Sequence, residues 1–435
     1  MNVEQLKKLI FKYENSPARI KFLKMCDLGE KYYRNNNDIK RKPVKFKDDN
    51  PLKTADNRLS HAWHGLFVKQ KVGYMFSREP NIDVGESSLN KEIIKTLGDE
   101  WGKTLRELLI NASNNGLAWL HYWIENNKFQ YGIVPTIQVI PIYSKDLKKR
   151  LTAVIRIYRD EDENGNSCKI YEYWDDKECV MFKGLGEAIK ESDTFTHSFG
   201  KVPFIYFNNN SIMESDLYMY KDQVDEYDKT ISGFANDLDD IQEILFILQG
   251  YGGEDLEEFM SDLKDFKAVK TDDKGDVRTV KAEIPVEART KHIEDLKKAI
   301  FLFGMGVNPD KDSLGDSSGV ALKFLYSLLE LKAADSRVEF DCSIKVLIRA
   351  VLDYLGKNQD QDISITYFSN MITNDKEIVE TISKSGTTMS EKSKTKKHPY
   401  VENVDEELEQ IKKEQNEKYN SDYNEDENFG ADVDE

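Results

Sequence analysis

Residues 317–333 read Ser-Ser-Gly-Val-Ala-Leu-Lys-Phe-Leu-Tyr-Ser-Leu-Leu-Glu-Leu-Lys-Ala. Ser317 and Ser318 are N-cap candidates for a helical-period run that, from Val320 on, meets no Gly or Pro until Gly356 and therefore predicts one helix to about Leu355. At 1.5 Å per residue it is on the order of 55 Å long, and a helix of that length bends. Just upstream, 305–317 is polar and carries Gly306, Pro309 and Gly315, which predicts a loop. Before that loop, 285–304 predicts a helix opened by Pro285 and ended by Gly304 and Gly306, with Ile293, Leu296, Ile300 and Phe303 on one face. So narrow a stripe can be buried only against a neighbouring helix. Upstream, 220–249 is read as one long helix, acidic in its N-terminal part and broken by Gly250, Gly252 and Gly253. Between the two, 250–284 predicts a short helix around Leu256–Leu263 and a β-hairpin over Phe266–Ile284 turning at Asp273-Lys274-Gly275. Such an order is awkward for a compact monomer and suits a subunit packed radially among copies of itself.

Further outward, the first hundred residues carry helical spacing in Val3-Leu6-Ile10, in Ile20-Leu23, from Leu59 through Val72 and over Ile93–Ile110. The period then shortens. Leu117–Ile124, Phe129–Ile142, Leu151–Tyr158, Lys169–Trp174, Glu178–Phe182 and Val202–Phe207 are aromatic and β-branched runs separated by turn residues such as Asn126-Asn127 and Asp175-Asp176. With no helices between them, they predict an antiparallel meander and an α+β fold class. Beyond Gly356 a short strand, Ile363–Tyr367, precedes small helices, the last over Val404–Gln415, and an acidic tail over 416–435 that is expected to stay disordered.

The 435 residues imply two or three domains, and 39% apolar residues with 21 Tyr and 21 Phe suffice for a core. The longest apolar run, Ile244–Leu248, is far short of the roughly 20 residues of a membrane span, and no secretory leader is read before Glu4. A soluble chain without a membrane partner is expected. Cys26, Cys168, Cys179 and Cys342 lack metal or disulfide spacing, which favours reduced thiols. The net charge of −17 is uneven: 401–435 holds 14 acids against 3 Lys, whereas Thr381–Tyr400 holds five Lys and one Glu. So acidic a protein is a poor static DNA grip, since tight binding rests on neutralising phosphates.

Signatures of catalysis are missing. No GxxxxGK[ST], HExxH or GxSxG occurs. His61 and His64 lie one turn apart without a third ligand, and Asp272-Asp273 reads as turn chemistry. Eight acids lie between Lys221 and Glu243: Asp222, Asp225, Glu226, Asp228, Asp237, Asp239, Asp240 and Glu243. Two-metal chemistry wants carboxylates converging from different elements, and these line one helix. The helix is either simply solvated or lines a passage for another polyanion. No catalytic residue, metal site or cofactor is assigned.

Several segments, in order, carry a family likeness: Lys71-Val72-Gly73-Tyr74, Ala153-Val154-Ile155-Arg156-Ile157-Tyr158, the stretch from Gly200-Lys201-Val202-Pro203 through Asn208-Asn209, Ala235-Asn236-Asp237-Leu238-Asp239-Asp240-Ile241-Gln242, and Ser317–Tyr326 with Leu331-Lys332-Ala333. Over roughly Asp56–Ile411 the chain resembles the portal proteins of tailed bacteriophages, of the siphophage type from Gram-positive hosts. Ser383–His398 departs from that likeness by its lysine content.

The resemblance implies a ring of about twelve subunits at one capsid vertex, assembled in the host cytoplasm and carried in the virion, through which double-stranded DNA is packaged and ejected. It implies a wing over 1–219, stem helices over 220–249 and 285–304, a clip over 250–284, a tunnel loop over 305–317, a long wing helix over 318–358 and a crown over 359–415. In the clip, Lys270, Asp272, Asp273, Lys274, Asp276 and Arg278 would face the terminase motor and afterwards the head-completion or adaptor proteins; capsid and scaffolding proteins are further implied partners. Asp237, Asp240 and Glu243 would line the tunnel, and Asn308, Pro309, Asp310, Lys311, Asp312, Ser313 and Leu314 would form the loop reaching toward the DNA. The competing readings are another head or neck connector scaffold and a DNA-processing enzyme.

Overall fold

The structure, a computed structural model, describes residues 3–43, 55–161, 167–184, 189–240, 245–249, 276–280, 285–308, 319–368, 375–401, 404 and 407–416. Two compact units emerge, one of Met1–Val307 with Leu328–Asn370, the other of Asn308–Ser327 with Met371–Glu435. The class is α+β, as expected.

In the first unit, α1 (Val3–Glu14) and α2 (Pro17–Tyr33) open the chain. Ser16 caps α2 by accepting from the Arg19 amide, with Pro17 in the first turn. Three helices follow: α3 (Trp63–Met75), α4 (Ser87–Leu97) and α5 (Trp101–Asn115). The sequence predicts α4 and α5 as one helix over Ile93–Ile110. They are two because Gly98 adopts φ +73° and turns the chain between them.

The meander forms as two sheets. β2 (Leu117–Glu125), β3 (Lys128–Val134) and β9 (Phe204–Asn208) pair in the order β3-β2-β9, while β4 (Val139–Tyr143), β5 (Leu151–Glu161), β6 (Ser167–Trp174), β7 (Glu178–Gly184) and β8 (Lys190–Thr196) form an antiparallel sheet in sequence order. β8 lies at the edge and is exposed along its whole length, which is why no apolar alternation announces it. Leu117, Trp119, Val154, Trp174 and Phe204 share a core cluster that contains residues of both sheets. Leu6 and Ile10 of α1 join Ile155, Tyr171 and Phe182 of the larger sheet in another. A two-stranded ribbon joins β1 (Asn81–Asp83) to β12 (Ser364–Thr366).

Next, α6 (Lys221–Asp240) and α7 (Val286–Phe303) pack as an antiparallel pair: Val224 shares a cluster with Ile300 and Phe301 at one end, and Asp237 meets Arg289 at the other. The helix expected over 220–249 ends at Asp240. Leu245–Gln249 is instead strand β10, antiparallel to β11 (Asp276–Val280) in the register Leu245↔Val280 to Gln249↔Asp276. A short apolar run such as Leu245–Leu248 is ambiguous by period alone. β11 lies within the hairpin expected over Phe266–Ile284 and, among the described residues, pairs with β10; the rest of that hairpin and Leu256–Leu263 lie outside the described residues.

The long helix, α8, spans Gly319–Tyr354. Its Phe340, Ile344, Leu347, Ile348 and Val351 enter the largest core cluster with Val68 and Val72 of α3, Leu105 and Leu109 of α5, and Ile205 and Phe207 of β9. Leu355 closes it with Gly356 at φ +66°, where the Lys357 amide reaches the Leu352 carbonyl at 2.9 Å and the Gly356 amide that of Asp353 at 3.0 Å. In the second unit, α9 (Asp375–Lys384) and α10 (Glu391–Lys397) form, with Ser390 capping α10, and 407–416 is helical.

Candidate functional site

The acids of α6 divide by what they touch. In its first half, Asp228 is fully buried and accepts from the His61 amide at 3.1 Å and from Asn37 Nδ2 at 2.6 Å, with His61 Nδ1 at 2.7 Å. Asp225 accepts from the Tyr32 hydroxyl and from Lys221 Nζ at 2.5 Å, and Lys221 also reaches Asp38 at 2.8 Å. Burial and the Asp225 carboxylate push the Tyr32 hydroxyl above its ordinary range. These carboxylates fasten α6 to α2 and to the chain before α3. Asp222 and Glu226 line a shallow depression with Asp38, Lys42 and Lys229.

Farther along, Asp237 pairs with Arg289 of α7 at 2.5 Å, and that guanidinium lies 5.6 Å from the Phe234 ring centre. Asp239 is exposed and accepts from Asn57 Nδ2 at 2.6 Å. Asp240 ends α6, and Glu243 lies outside the described residues. Of the clip residues, Asp276 and Arg278 sit on β11 opposite Gln249 and Ile247, while Lys270, Asp272, Asp273 and Lys274 lie outside the described residues. Asn308 is described; Pro309, Asp310, Lys311, Asp312, Ser313 and Leu314 are not.

The helix pair is rooted in a buried polar joint. Lys71 of α3 is 1% exposed and donates to Asn209 Oδ1 at 2.6 Å and to both Asp216 oxygens at 3.3 and 3.2 Å. Lys332 of α8 reaches Asp216 at 3.2 Å and donates to the Gly304 carbonyl at 3.2 Å. Its ammonium lies 5.8 Å from the Phe67 ring centre and 5.6 Å from that of Tyr220. Asp216 also accepts from Asn209 Nδ2 at 2.7 Å. His64 is held between the Tyr220 hydroxyl at 2.6 Å and Asn114 at 3.0 Å. Although burial opposes it, Lys332 and Lys71 hold the Asp216 carboxyl well below the usual carboxylate range. Burial pushes Lys71 down to about 8 against the pull of Asp216, and pushes His64 down to about 4. Two ammoniums thus share one carboxylate, and the three charges come from α3, the β9–α6 connection and α8.

The exit of α7 meets the same joint. Gly304 ends the helix and Met305 takes φ +50°, with the Met305 amide on the Leu302 carbonyl at 3.2 Å and the Gly306 amide on that of Phe301 at 3.1 Å, a Schellman closure with Met in the left-handed position. Val307 follows, held in both directions by one side chain: its amide donates to Gln70 Oε1 at 3.1 Å, and Gln70 Nε2 donates to its carbonyl at 2.8 Å.

His61 and His64, one turn apart in sequence, serve different partners, Asp228 and the Tyr220–Asn114 pair. Gln70 and Asp216 carry no role in the sequence reading, and Lys71 and Lys332 enter it only through the family likeness. A signal for Lys332 existed: with Leu329, Ser336 and Phe340 it lies on the apolar face of α8, where a lysine must find a buried partner.

A sequence model of the family described as "Phage portal protein, SPP1 Gp6-like" matches residues 17–420. A portal protein of Clostridium phage phiCD119 is 41% identical over 426 residues, covering 91% of this chain and 94% of its own length. The portal protein of Bacillus phage SPP1 is 29% identical over 417 residues, covering 89% and 83%. Among solved structures, a chain from the neck of an empty GTA particle computed with C6 symmetry aligns with a TM-score of 0.48 at 11% identity, covering 77% of this chain and 89% of that one.

Proposed function

This chain belongs to the SPP1 Gp6-like family of phage portal proteins, and on that premise we propose that about twelve copies close into a ring at one capsid vertex, through which double-stranded DNA enters and leaves the head. The match over residues 17–420 carries the reading. The chain is a head–tail connector component of the virion that works without catalytic chemistry of its own, assembles in the host cytoplasm, and meets the terminase motor, the head-completion or adaptor proteins, and the capsid and scaffolding proteins in turn.

A passage for moving DNA must not hold it. Each lysine or arginine that meets a phosphate releases counterions, and a ring repeats the contact about twelve times, so a weak attraction becomes a trap. Carboxylates on the wall act the other way, and screening over about 8 Å keeps their repulsion near the surface. The α6–α7 pair is the stem, Asp237, Asp240 and Glu243 supply the negative wall, and the segment from Asn308 to Leu314 reaches toward the duplex. Lys270, Asp272, Asp273, Lys274, Asp276 and Arg278 form the motor-facing clip. Support comes from the antiparallel packing of α6 on α7 and from the departure of the loop from the end of α7.

Two measurements test this. Electron microscopy of the purified chain is expected to show rings with a central hole; a uniform monomer at high concentration overturns the reading. Replacing Asp237, Asp240 and Glu243 by Lys is expected to stall packaging while rings still form. Unchanged packaging removes the acidic wall from the mechanism.

A further inference from the structure

We infer that Gln70 is a positioning residue for the loop that starts at Asn308: it fixes the point and direction at which the chain leaves the stem. The inference rests on the proposed role of that loop at the DNA. Three independent contacts converge on the four residues before it. Gln70 uses both ends of its amide on one backbone unit, accepting from the Val307 N–H at 3.1 Å and donating to the Val307 C=O at 2.8 Å. A side chain that takes a backbone donor and acceptor together reproduces one rung of a strand pairing, so it fixes orientation as well as position. Phe67, one turn earlier on α3, lies so close to Gly304 and Gly306 that a Cβ on either would overlap its ring, and a Cβ on Gly306 would also come to 2.8 Å from Gln70 Oε1. Lys332 holds the Gly304 carbonyl at 3.2 Å, placing a cation at the C-terminus of α7.

The glycines at 304 and 306 are therefore required by the approach of α3. The left-handed residue of the closure is Met305, so flexibility is withheld where a glycine would supply it. A loop meant only to connect two helices needs none of this.

Hydrogen–deuterium exchange on the full-length chain, read on peptides covering 303–308, tests the clamp directly. In Gln70→Leu the Val307 amide is expected to exchange roughly tenfold faster, the size of change that losing one or two neutral hydrogen bonds produces, while core peptides of α5 and β2 keep their protection. Rings are expected at ordinary yield, with DNA retained per particle falling severalfold. Gly306→Ala should produce the same local acceleration, and Phe67→Leu introduced with it should restore protection by making room for the new methyl; this pair keeps the test open if Gln70→Leu folds poorly. Unchanged exchange at Val307 in both single variants overturns the clamp. Accelerated exchange with normal DNA retention overturns the positioning role. Deleting Asp310–Leu314 then separates the causes: if that deletion is also harmless, the loop's contact with DNA has failed, and if it is harmful, Gln70 alone is wrongly assigned.

Discussion

Changing Asp216 to Asn removes the one carboxylate that two buried ammoniums share. Asp216 is 4% exposed, and it accepts from Lys71 at 3.2 Å, from Lys332 at 3.2 Å and from Asn209 at 2.7 Å. Removing one partner of a buried ion pair costs about 3–5 kcal/mol, because the surviving charge stays buried. Lys71 limits the loss. Burial already holds its pKa below the ordinary 10.5, at about 8, so the fold carries part of the cost of keeping it charged. In Asp216→Asn, Lys71 releases its proton at still lower pH instead of accumulating further cost. The sign follows: between its folded and unfolded values the unfolded chain holds the extra proton, so stability rises with pH. The variant's window opens at lower pH than the wild type's, and its deficit is expected to be larger at pH 6 than at pH 9.

Urea unfolding of the full-length chain, followed by tryptophan fluorescence, reads this well because Trp63 packs on Phe67 and Phe301 in the same cluster. Lys332→Met is the control. It leaves one cation with one anion and loses the Gly304 hydrogen bond, a cost of about 1–3 kcal/mol. The double variant is expected to be milder than the sum of the singles by about 1 kcal/mol or more, because the second change removes a charge the first left stranded. An Asp216→Asn deficit under about 1 kcal/mol, or strict additivity, would refute the view that the joint is held by shared charge.

Met305→Gly should raise stability by about 0.5–1 kcal/mol, since Met holds φ +50° there, and a lower melting temperature would count against that strain. Gly29→Ala should cost about 3 kcal/mol, because a Cβ on α2 would overlap the Asn114 carbonyl oxygen of α5; a variant melting within two or three degrees of wild type contradicts the close crossing. Burial pushes both His64 and His121 down to about 4, below the ordinary 6.5, so the unfolded chain takes up protons first and stability falls as pH drops from 6.5 toward 4. Denaturation midpoints across that range should show the fall, with a shallower slope in His121→Asn; a flat wild-type profile is incompatible with neutral imidazoles at buried His64 and half-buried His121.

What was legible in the chain is what local chemistry writes down. The uninterrupted period from Val320 to Leu355 with Gly356 behind it marks α8, and Pro285 with Gly304 brackets α7. The strand β10 was hidden because Leu245–Leu248 suits a buried helix and a strand equally, and only its partner, Asp276–Val280, decides. β8 was hidden by its composition, Lys-Glu-Ser-Asp-Thr-Phe-Thr, which has no buried face to alternate with. The joint and the clamp are the hardest kind to read. Gln70 and Val307 are 237 positions apart, Lys71 and Asp216 are 145 apart, and nothing in either neighbourhood marks them as partners.

That distinction also bears on how many acids α6 has to spare. Eight carboxylates between Lys221 and Glu243 suggest a continuous negative face, yet Asp225 and Asp228 are turned to Lys221, Tyr32, His61 and Asn37, where their charge fastens the helix. Asp237 shares its charge with Arg289, a part-exposed pair worth on the order of 1 kcal/mol or less. In the proposed passage, a wall made from the distal end of α6 is therefore thinner per subunit than the sequence implies, and its repulsion would come from repetition around the proposed ring. The consequence is specific: Arg289→Gln, which leaves Asp237 uncompensated, should make passage more salt-dependent without weakening assembly, whereas neutralising Asp228 should damage the fold before it touches the DNA.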